Sequence, residues 1–291
     1  MPEGDTIYRA ARALHKALAG KPVTAFNTGL AKLASTNDDT PLTGRTIEKV
    51  EARGKWCLIF FSDDLILVTH MLMSGSWHIY KTGEKWWMPR SKMRVALSTP
   101  DYQAVAFNVP IAEFHTARSL ERNSQVPKLG PDILHDEFSI EAGVQALRQR
   151  AATNPTDEIA VVLLNQRVLA GLGNVYKSEV AFAAGVNPFR PLSSITDREM
   201  TTMIEASHKY MKANVLDGSG DGIVTYSGNR RTTQSMNASD RLWVYRRQGL
   251  ECRRCGATIL TRKQGEQVRS TYWCPTCQPF DGRLGHFTHP I

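Results

Sequence analysis

The chain has 291 residues, of which 42% are hydrophobic and 22% charged, ordinary values for a globular protein whose core can stand without disulfide staples. Lys and Arg number 36 against 28 Asp and Glu, a formal charge of +8, and that excess favours a polyanionic partner without specifying a fold. No long apolar run and no basic segment leading into an apolar stretch occurs, which excludes a helical membrane protein and a secretory leader and predicts an intracellular, cytoplasmic protein of one or two domains.

Ile7, Ala10, Ala11, Leu14, Ala17 and Leu18 recur at helical spacing, so residues 5–19 read as an amphipathic helix, with Asp5 or Thr6 as its cap and Gly20 as its stop. Short strand-like runs follow at Thr46–Glu51, Trp56–Phe61, Leu65–His70, Gly75–Tyr80, Met93–Ser98 and Gln103–Phe107, with Ser62-Asp63-Asp64 as a hairpin turn. Runs at this spacing predict an antiparallel sandwich or barrel. The polar stretch from Asn123 to Pro127 reads as a linker, and beyond it the period is helical over Ile140–Gln149, Thr156–Leu164, Asn174–Ala183 and Asp197–Ala213. Asp217–Gly222 is a glycine-rich break, Thr225–Asn237 is polar with little pattern, and a short strand is expected from Leu242. These divisions predict a lobe over 1–123, a linker over 124–130, a helical lobe over 131–240, a metal-binding appendage over 241–278 and a tail over 279–291.

Four of the five cysteines form two Cys-x-x-Cys pairs, Cys252/Cys255 and Cys274/Cys277, eighteen residues apart. That spacing suits a tetrahedral zinc site, and four protein thiolates leave no position for a reactive water, so one structural zinc ion is expected. An odd cysteine count argues against an extracellular disulfide framework. Arg241, Arg246, Arg247, Arg253, Arg254, Arg262, Lys263 and Arg269 surround the pairs against only Glu251 and Glu266, a composition suited either to backbone phosphates or to a solvated basic face.

Met1-Pro2-Glu3-Gly4-Asp5 precedes the first helix. A small second residue favours removal of the initiator Met, which leaves Pro2 with a free secondary amine able to attack an aldehyde or a sugar C1′. The resulting iminium keeps its positive charge without a proton, and Glu3 beside it can serve as general acid and base. Read alone, Pro2 and Glu3 also suit a plain helix lead-in.

Pro2-Glu3-Gly4, Arg53-Gly54-Lys55, His70 to Gly75, Gly171-Leu172-Gly173-Asn174 and Arg269 ahead of Cys274 occur in this order. With the cysteine quartet, this set resembles the formamidopyrimidine-DNA glycosylase and endonuclease VIII family over residues 1–278. The resemblance implies an α+β protein: an N-terminal antiparallel β-sandwich lobe opened by a helix, a helix–two-turn–helix C-terminal lobe and a zinc finger, with damaged double-stranded DNA held between the lobes of a monomer. It also implies a bifunctional glycosylase and abasic-site lyase of base excision repair, with Pro2 as nucleophile, Glu3 as acid and base, Lys55, Asn174 and Arg269 on phosphates, and no redox or nucleotide cofactor. Chemistry on a stacked base requires its extrusion, and Met73, in the loop Leu72-Met73-Ser74, is the candidate wedge that fills the gap. Core packing is the other reading of Met73.

The family's oxidised-purine branch carries an Asp-Pro-Arg-Arg-Phe-Gly segment, whereas this chain has Phe107-Asn108-Val109-Pro110-Ile111-Ala112-Glu113 there. Together with Pro2-Glu3-Gly4-Asp5-Thr6, this places the resemblance nearer endonuclease VIII and predicts oxidised pyrimidines as substrates. An oxidised-purine glycosylase, a catalytically silent zinc-dependent DNA-binding protein and a zinc-ribbon RNA-binding protein are the alternatives. Lys85-Trp86-Trp87-Met88-Pro89-Arg90 reads as a strand connection with partly buried tryptophans, or else as a stacking platform for single strands. Gly218 to Gly222 lacks the Lys-Ser/Thr ending of a phosphate loop, His286 and His289 need no metal, and Cys57 between Trp56 and Leu58 reads as a buried strand residue.

Overall fold

The amphipathic stretch at the start of the chain forms helix α1, Gly4–Leu18, which buries Ile7, Ala10, Ala11, Leu14, Ala17 and Leu18. Its N-cap is Glu3, in extended backbone and with no side-chain cap bond, rather than Asp5 or Thr6. Asp5 lies inside the first turn, where the helix dipole favours a carboxylate. Gly20, with φ +78°, closes the helix in the left-handed conformation. The structure is a computed structural model that describes residues 2–123, 126, 128–216, 232–233 and 240–280; Met1, most of the 217–237 stretch, part of the expected linker and residues 281–291 lie outside the described residues. Contacts divide the chain into two compact units, the second beginning at Lys128.

The first unit is a sandwich of two four-stranded antiparallel sheets. Strands β1 (Ala25–Thr28), β2 (Ile47–Arg53), β3 (Trp56–Phe61), β4 (Leu65–His70), β5 (Ser76–Lys81), β6 (Met93–Ser98), β7 (Tyr102–Phe107) and β8 (Ile111–His115) build them, with short helices α2 (Ala31–Asp39) and α3 (Ala117–Asn123) between or after strands. One sheet has the order β2-β3-β4-β8, the other β1-β6-β7-β5. Cys57, Ile59 and Phe61 of β3, Val95 and Leu97 of β6, and Ala104 and Ala106 of β7 face the shared core with the apolar stripe of α1. The alternate residues are buried too. Leu58, Ile66 and Val68 pack under Leu120 of α3, and Val105 and Phe107 pack under Trp86 and Met88. Coverage on both faces explains why these strands read as unbroken apolar runs.

Since β5 and β6 pair antiparallel with opposite edges of β7, they run parallel to one another, and their connection 82–92 must travel back across the sheet. The Ser62-Asp63-Asp64 turn forms as expected between Phe61 and Leu65, which pair, with Asp63 and Asp64 at φ +61° and +52°.

The second unit is helical: α4 (Ile140–Thr153), α5 (Ile159–Leu164), α6 (Asn174–Ala183) and α7 (Asp197–Leu216). Ser139 caps α4 by accepting from the Ala142 amide at 3.1 Å. Every residue of α6 is buried, so its sequence carries no polar stripe. No strand forms at Leu242; the strands here are β9 (Leu260–Gln264) and β10 (Arg269–Trp273), an antiparallel hairpin between the cysteine pairs. Gln264 ties that hairpin to the helices by donating to Glu158 and to the Pro188 carbonyl, at 2.7 and 3.0 Å. Glu179 of α6 holds the chain entering the metal-binding segment, accepting from the amides of Trp243, Val244 and Tyr245 at 2.8–2.9 Å. Among the described residues no helix is long and apolar enough to cross a membrane.

Candidate active site and metal centre

Two contacts orient the N-terminal helix on its sheet. The Gly20 amide donates to the Ile47 carbonyl at 2.7 Å, and the Val50 amide donates to His15 Nδ1 at 3.1 Å. As the helix is followed back toward its start, β2 therefore runs forward. From His15 to Glu3 is about 18 Å of helix at 1.5 Å per residue, and from Val50 to Lys55 about 16 Å of strand at 3.3 Å per residue. Pro2 and Glu3 thus reach the same end of the unit as the β2–β3 turn that carries Lys55.

That turn is a two-residue hairpin, with Arg53 paired to Trp56. Gly54 has φ +58° while Lys55 does not share the left-handed region, as a glycine-first hairpin turn requires. Trp56 pairs in turn with His70, and His70 with Ile111. The loop after His70 and the β7–β8 link therefore open at this same end. The structure brings Pro2, Glu3, Lys55 and Met73 to one end of the first unit.

Glu3 is 0% exposed. A carboxylate at the mouth of a helix and out of water is an expensive placement, retained where the group has a task or a partner. His70 stands out in the sequence only as the first residue of the His70 to Gly75 motif. Its Nδ1 accepts from the Leu72 amide at 3.0 Å, so its other ring nitrogen carries the proton. Burial and the nearby Lys55 charge lower its pKa to about 4, so it is neutral at pH 7. That bond also holds Leu72 at φ +44° and turns the loop outward.

Met73 is 62% exposed, which removes the core-packing reading, and Leu72 beside it is 45% exposed. Leu72 was not singled out from sequence; three apolar residues, Met71 to Met73, between a polar strand end and Ser-Gly were its only signal. Gly75 is obligatory, because a Cβ there would lie 2.7 Å from the Met71 carbonyl oxygen. The β7–β8 link consists of Asn108, at φ +50°, buried Val109 and exposed Pro110, and presents no cation.

In the second unit Asn174 is the first residue of α6, after Gly173 as N-cap. Gly171 at φ +100° makes the sharp entry. Gln166 fixes the loop by donating to the carbonyls of Leu164 and Leu172 and accepting from the Gly171 amide, all at 2.9–3.0 Å. Asn174 Nδ2 donates to the Ser270 carbonyl at 3.1 Å, and its buried Oδ1 has no hydrogen-bond partner among the described residues. Ser270 adjoins Arg269, whose guanidinium donates to Gln267 Oε1 at 3.2 Å. The helix N-terminus and the hairpin arginine are therefore neighbours within this unit, a pairing that suits an anion.

Cys252, Cys255, Cys274 and Cys277 offer sulfurs that all lie within 4.8 Å of one another. Ligands at about 2.3 Å from a tetrahedral centre stand about 3.8 Å apart. The Cys252–Cys277 and Cys255–Cys274 separations are 3.8 and 3.4 Å. Amides of Arg254 and Cys277 point at Cys252 and Cys274 sulfurs, each at 3.4 Å, and would stabilise thiolates. The soft, closed donor set fits a structural zinc ion.

The surrounding basic residues are not one solvated face. Arg254 lies over Phe182 at 4.4 Å and Arg262 over Phe189 at 3.7 Å, Arg253 pairs with Asp240 at 2.6 Å, and Arg247 donates to the Trp243 and Glu251 carbonyls at 2.6 and 2.8 Å. Much of that charge holds the appendage together.

Comparison with known proteins gives consistent matches along the chain. Residues 1–110 match the formamidopyrimidine-DNA glycosylase N-terminal domain, residues 129–225 the formamidopyrimidine-DNA glycosylase H2TH domain, and residues 249–279 the zinc finger found in FPG and IleRS. A probable endonuclease 8 2 of Streptomyces coelicolor is 37% identical over 96% of this chain and 94% of its own length. A protein of Mycolicibacterium smegmatis named DNA-(apurinic or apyrimidinic site) lyase Nei2 is 33% identical over 96% and 99%. Among solved structures, Lactococcus lactis Fpg in complex with abasic-site DNA superposes with a TM-score of 0.76 at 22% identity, over 96% of this chain and 100% of that one; this likeness speaks to the fold.

Proposed function

The chain belongs to the formamidopyrimidine-DNA glycosylase and endonuclease VIII family of DNA repair glycosylases and lyases, and from that premise we propose that it excises oxidised pyrimidines from DNA through a Schiff base at Pro2. The observation that carries the proposal is the wholly buried Glu3 next to Pro2, at the end of the unit that also bears Lys55 and the outward loop of Leu72 and Met73.

With Met1 removed, the secondary amine of Pro2 attacks C1′ of the damaged nucleotide. The bond from C1′ to the base breaks, and the base leaves with the bonding pair and takes up a proton. Ring opening then gives an iminium between Pro2 nitrogen and C1′. Glu3, held out of water, hands a proton to the sugar ring oxygen as the ring opens and takes protons back during elimination. Loss of the C2′ proton expels the 3′ phosphate, a second elimination expels the 5′ phosphate, and water finally releases Pro2. Lys55 takes a phosphate of the damaged strand, and Asn174 with its neighbour Arg269 takes another. The zinc ion makes no bond in the reaction; it keeps the hairpin that bears Arg269 folded. No redox or nucleotide cofactor takes part, and the enzyme acts as a monomer.

Met73 is the wedge that enters the stack when the base leaves it. Met73→Ala is expected to lower activity on paired lesions about tenfold, in keeping with the few kcal/mol of unstacking a wedge must offset, and to spare single-stranded lesions. Steady-state turnover on both substrates checks this, and equal losses would remove the wedge role.

The preference for pyrimidines rests on the short Asn108-Val109-Pro110 link, which offers no arginine to an orphaned cytosine. Single-turnover excision of 5-hydroxyuracil or thymine glycol against 8-oxoguanine opposite cytosine tests it. Faster release of the pyrimidines with little effect of the opposite base is expected; comparable release of 8-oxoguanine overturns the preference.

A further inference from the structure

The connection 82–92 crosses the outer face of the second sheet and carries a feature the reaction above does not use. Trp86 is anchored there: its Nε1 donates to Gln103 at 2.6 Å, its ring meets the edge of Phe107 at 5.7 Å, and the Arg90 guanidinium lies over it at 5.2 Å. Trp87 is not buried as expected; it is 70% exposed. It is nevertheless held in place, because its Nε1 donates to His78 Nδ1 at 3.2 Å and its ring meets His78 edge-on at 5.3 Å. With Nδ1 accepting, neutral His78 carries its proton on Nε2 and gives it to Ser76 Oγ at 2.8 Å. Burial lowers the His78 pKa and keeps the ring neutral.

Beside these rings is an open cavity of about 660 Å³ whose wall includes Lys85, Trp86, Trp87, Met88 and Arg90. Over residues 81–94 the cations Lys81, Lys85, Arg90, Lys92 and Arg94 face a single acid, Glu84, whose carboxylate accepts from the Lys81 amide at 2.9 Å. A fixed, exposed indole among cations takes a flat, electron-poor ring attached to an anion. Both faces of a base in a duplex are already stacked, so the ring that fits is that of an unpaired nucleotide.

We infer that Trp87, with Lys85 and Arg90, is a second nucleic-acid contact, a platform that stacks an unpaired base of single-stranded DNA and neutralises its phosphates. The inference rests on the reading of the chain as a DNA enzyme, but places no part of the chemistry at this platform.

Fluorescence anisotropy of the full zinc-loaded chain, with end-labelled dT8 and with a blunt undamaged duplex, tests it. Trp87→Ala is expected to weaken dT8 binding about tenfold, which is about 1.4 kcal/mol and within the range for one base stacked on an aromatic ring. Blunt-duplex affinity should stay within about twofold, and Trp87→Phe, which keeps a ring, should retain most of the dT8 affinity. Lys85→Gln with Arg90→Gln should reduce the slope of log affinity against log salt by about 1.4 for dT8, at about 0.7 per phosphate contact on a single strand. Unchanged dT8 binding by Trp87→Ala, or parallel losses on dT8 and duplex, overturns the inference. Borohydride trapping on a paired abasic site, run alongside, separates the two readings. Trapping by the wild type with dT8 binding indifferent to Trp87 defeats the platform alone. No trapping with a Trp87-dependent dT8 complex defeats the Schiff-base reading alone.

Discussion

Glu3→Gln is expected to cut strand cleavage at a lesion by about 10²- to 10⁴-fold, the range that a positioned acid–base group contributes, while leaving binding to lesion DNA nearly intact. The amide matches the carboxylate in size and needs no charge, so the buried site of Glu3 accommodates it without a cavity. What it lacks is a proton to move. Pro2→Gly still presents a terminal amine after Met1 is removed, so it separates the need for an amine from the need for a secondary one. Its iminium must carry an N–H and can lose that proton to become a neutral imine, a weaker electron sink. Slower elimination after an intact first attack is the expected pattern. Single-turnover kinetics on a lesion duplex and on a preformed abasic site resolve the two steps. Glu3→Gln should lose more on the lesion than on the abasic site, because part of the abasic sugar is already ring-opened and needs no proton on its ring oxygen. Equal activity of Glu3→Gln and wild type on the lesion would remove Glu3 from the mechanism.

Cys274→Ser, or stripping of the metal by a chelator, is the second large effect. Four sulfurs within 4.8 Å make a closed donor set for a soft cation, and structural zinc sites supply about 10–16 kcal/mol to small folds that depend on them. Without the ion the β9–β10 hairpin keeps the Gln264 bonds but loses its anchor at the cysteine pairs. Arg269 and the Ser270 carbonyl that holds Asn174 are then displaced together. Two charge-assisted contacts, each worth about 1.5–3 kcal/mol, would go at once, so DNA affinity should fall about 100-fold or more. The salt dependence of binding should flatten by about 0.9 per lost phosphate contact on duplex DNA. Metal analysis should find one zinc per wild-type chain. Cys57→Ala is the control: that thiol is 0% exposed in β3, burial pushes its pKa up to about 12, and it is no ligand. Loss of zinc without loss of DNA affinity would contradict the role given to the hairpin.

The parts of this account legible in the sequence are those where one physical constraint dominates. Trp56–Phe61, Leu65–His70 and Met93–Ser98 were bounded correctly because strands covered on both faces are unbroken apolar runs between turn residues. Asn174–Ala183 was bounded by Gly171-Leu172-Gly173 and Gly185. Strands β1 and β8 were missed because edge strands bury little; in β8 only Ala112 is fully buried. Helix α2 was missed because Leu33 is its sole buried residue, and polar Leu260–Gln264 gave no strand signal. In the site, the cysteine spacing and the N-terminal motif stood out because few sequences need them. His70 and Leu72 did not, because one backbone-to-imidazole bond gives the loop its direction, and no residue pattern announces such a bond. Trp87 misled for a related reason: its partner His78 lies across a loop crossing, and burial statistics for tryptophan take no account of a single hydrogen bond that holds a ring in solvent.

The central claim is a covalent bond between Pro2 and the sugar, and the most direct test is to trap it and find the attached residue. Wild-type protein with Met1 removal and zinc content verified would be incubated with a duplex carrying an oxidised pyrimidine in the presence of borohydride, then digested and sequenced by mass spectrometry. The account predicts one stable adduct, on the peptide that begins at Pro2, attached through its nitrogen. An adduct on Lys55 or another lysine, or no adduct with either the lesion or an abasic site, would contradict it.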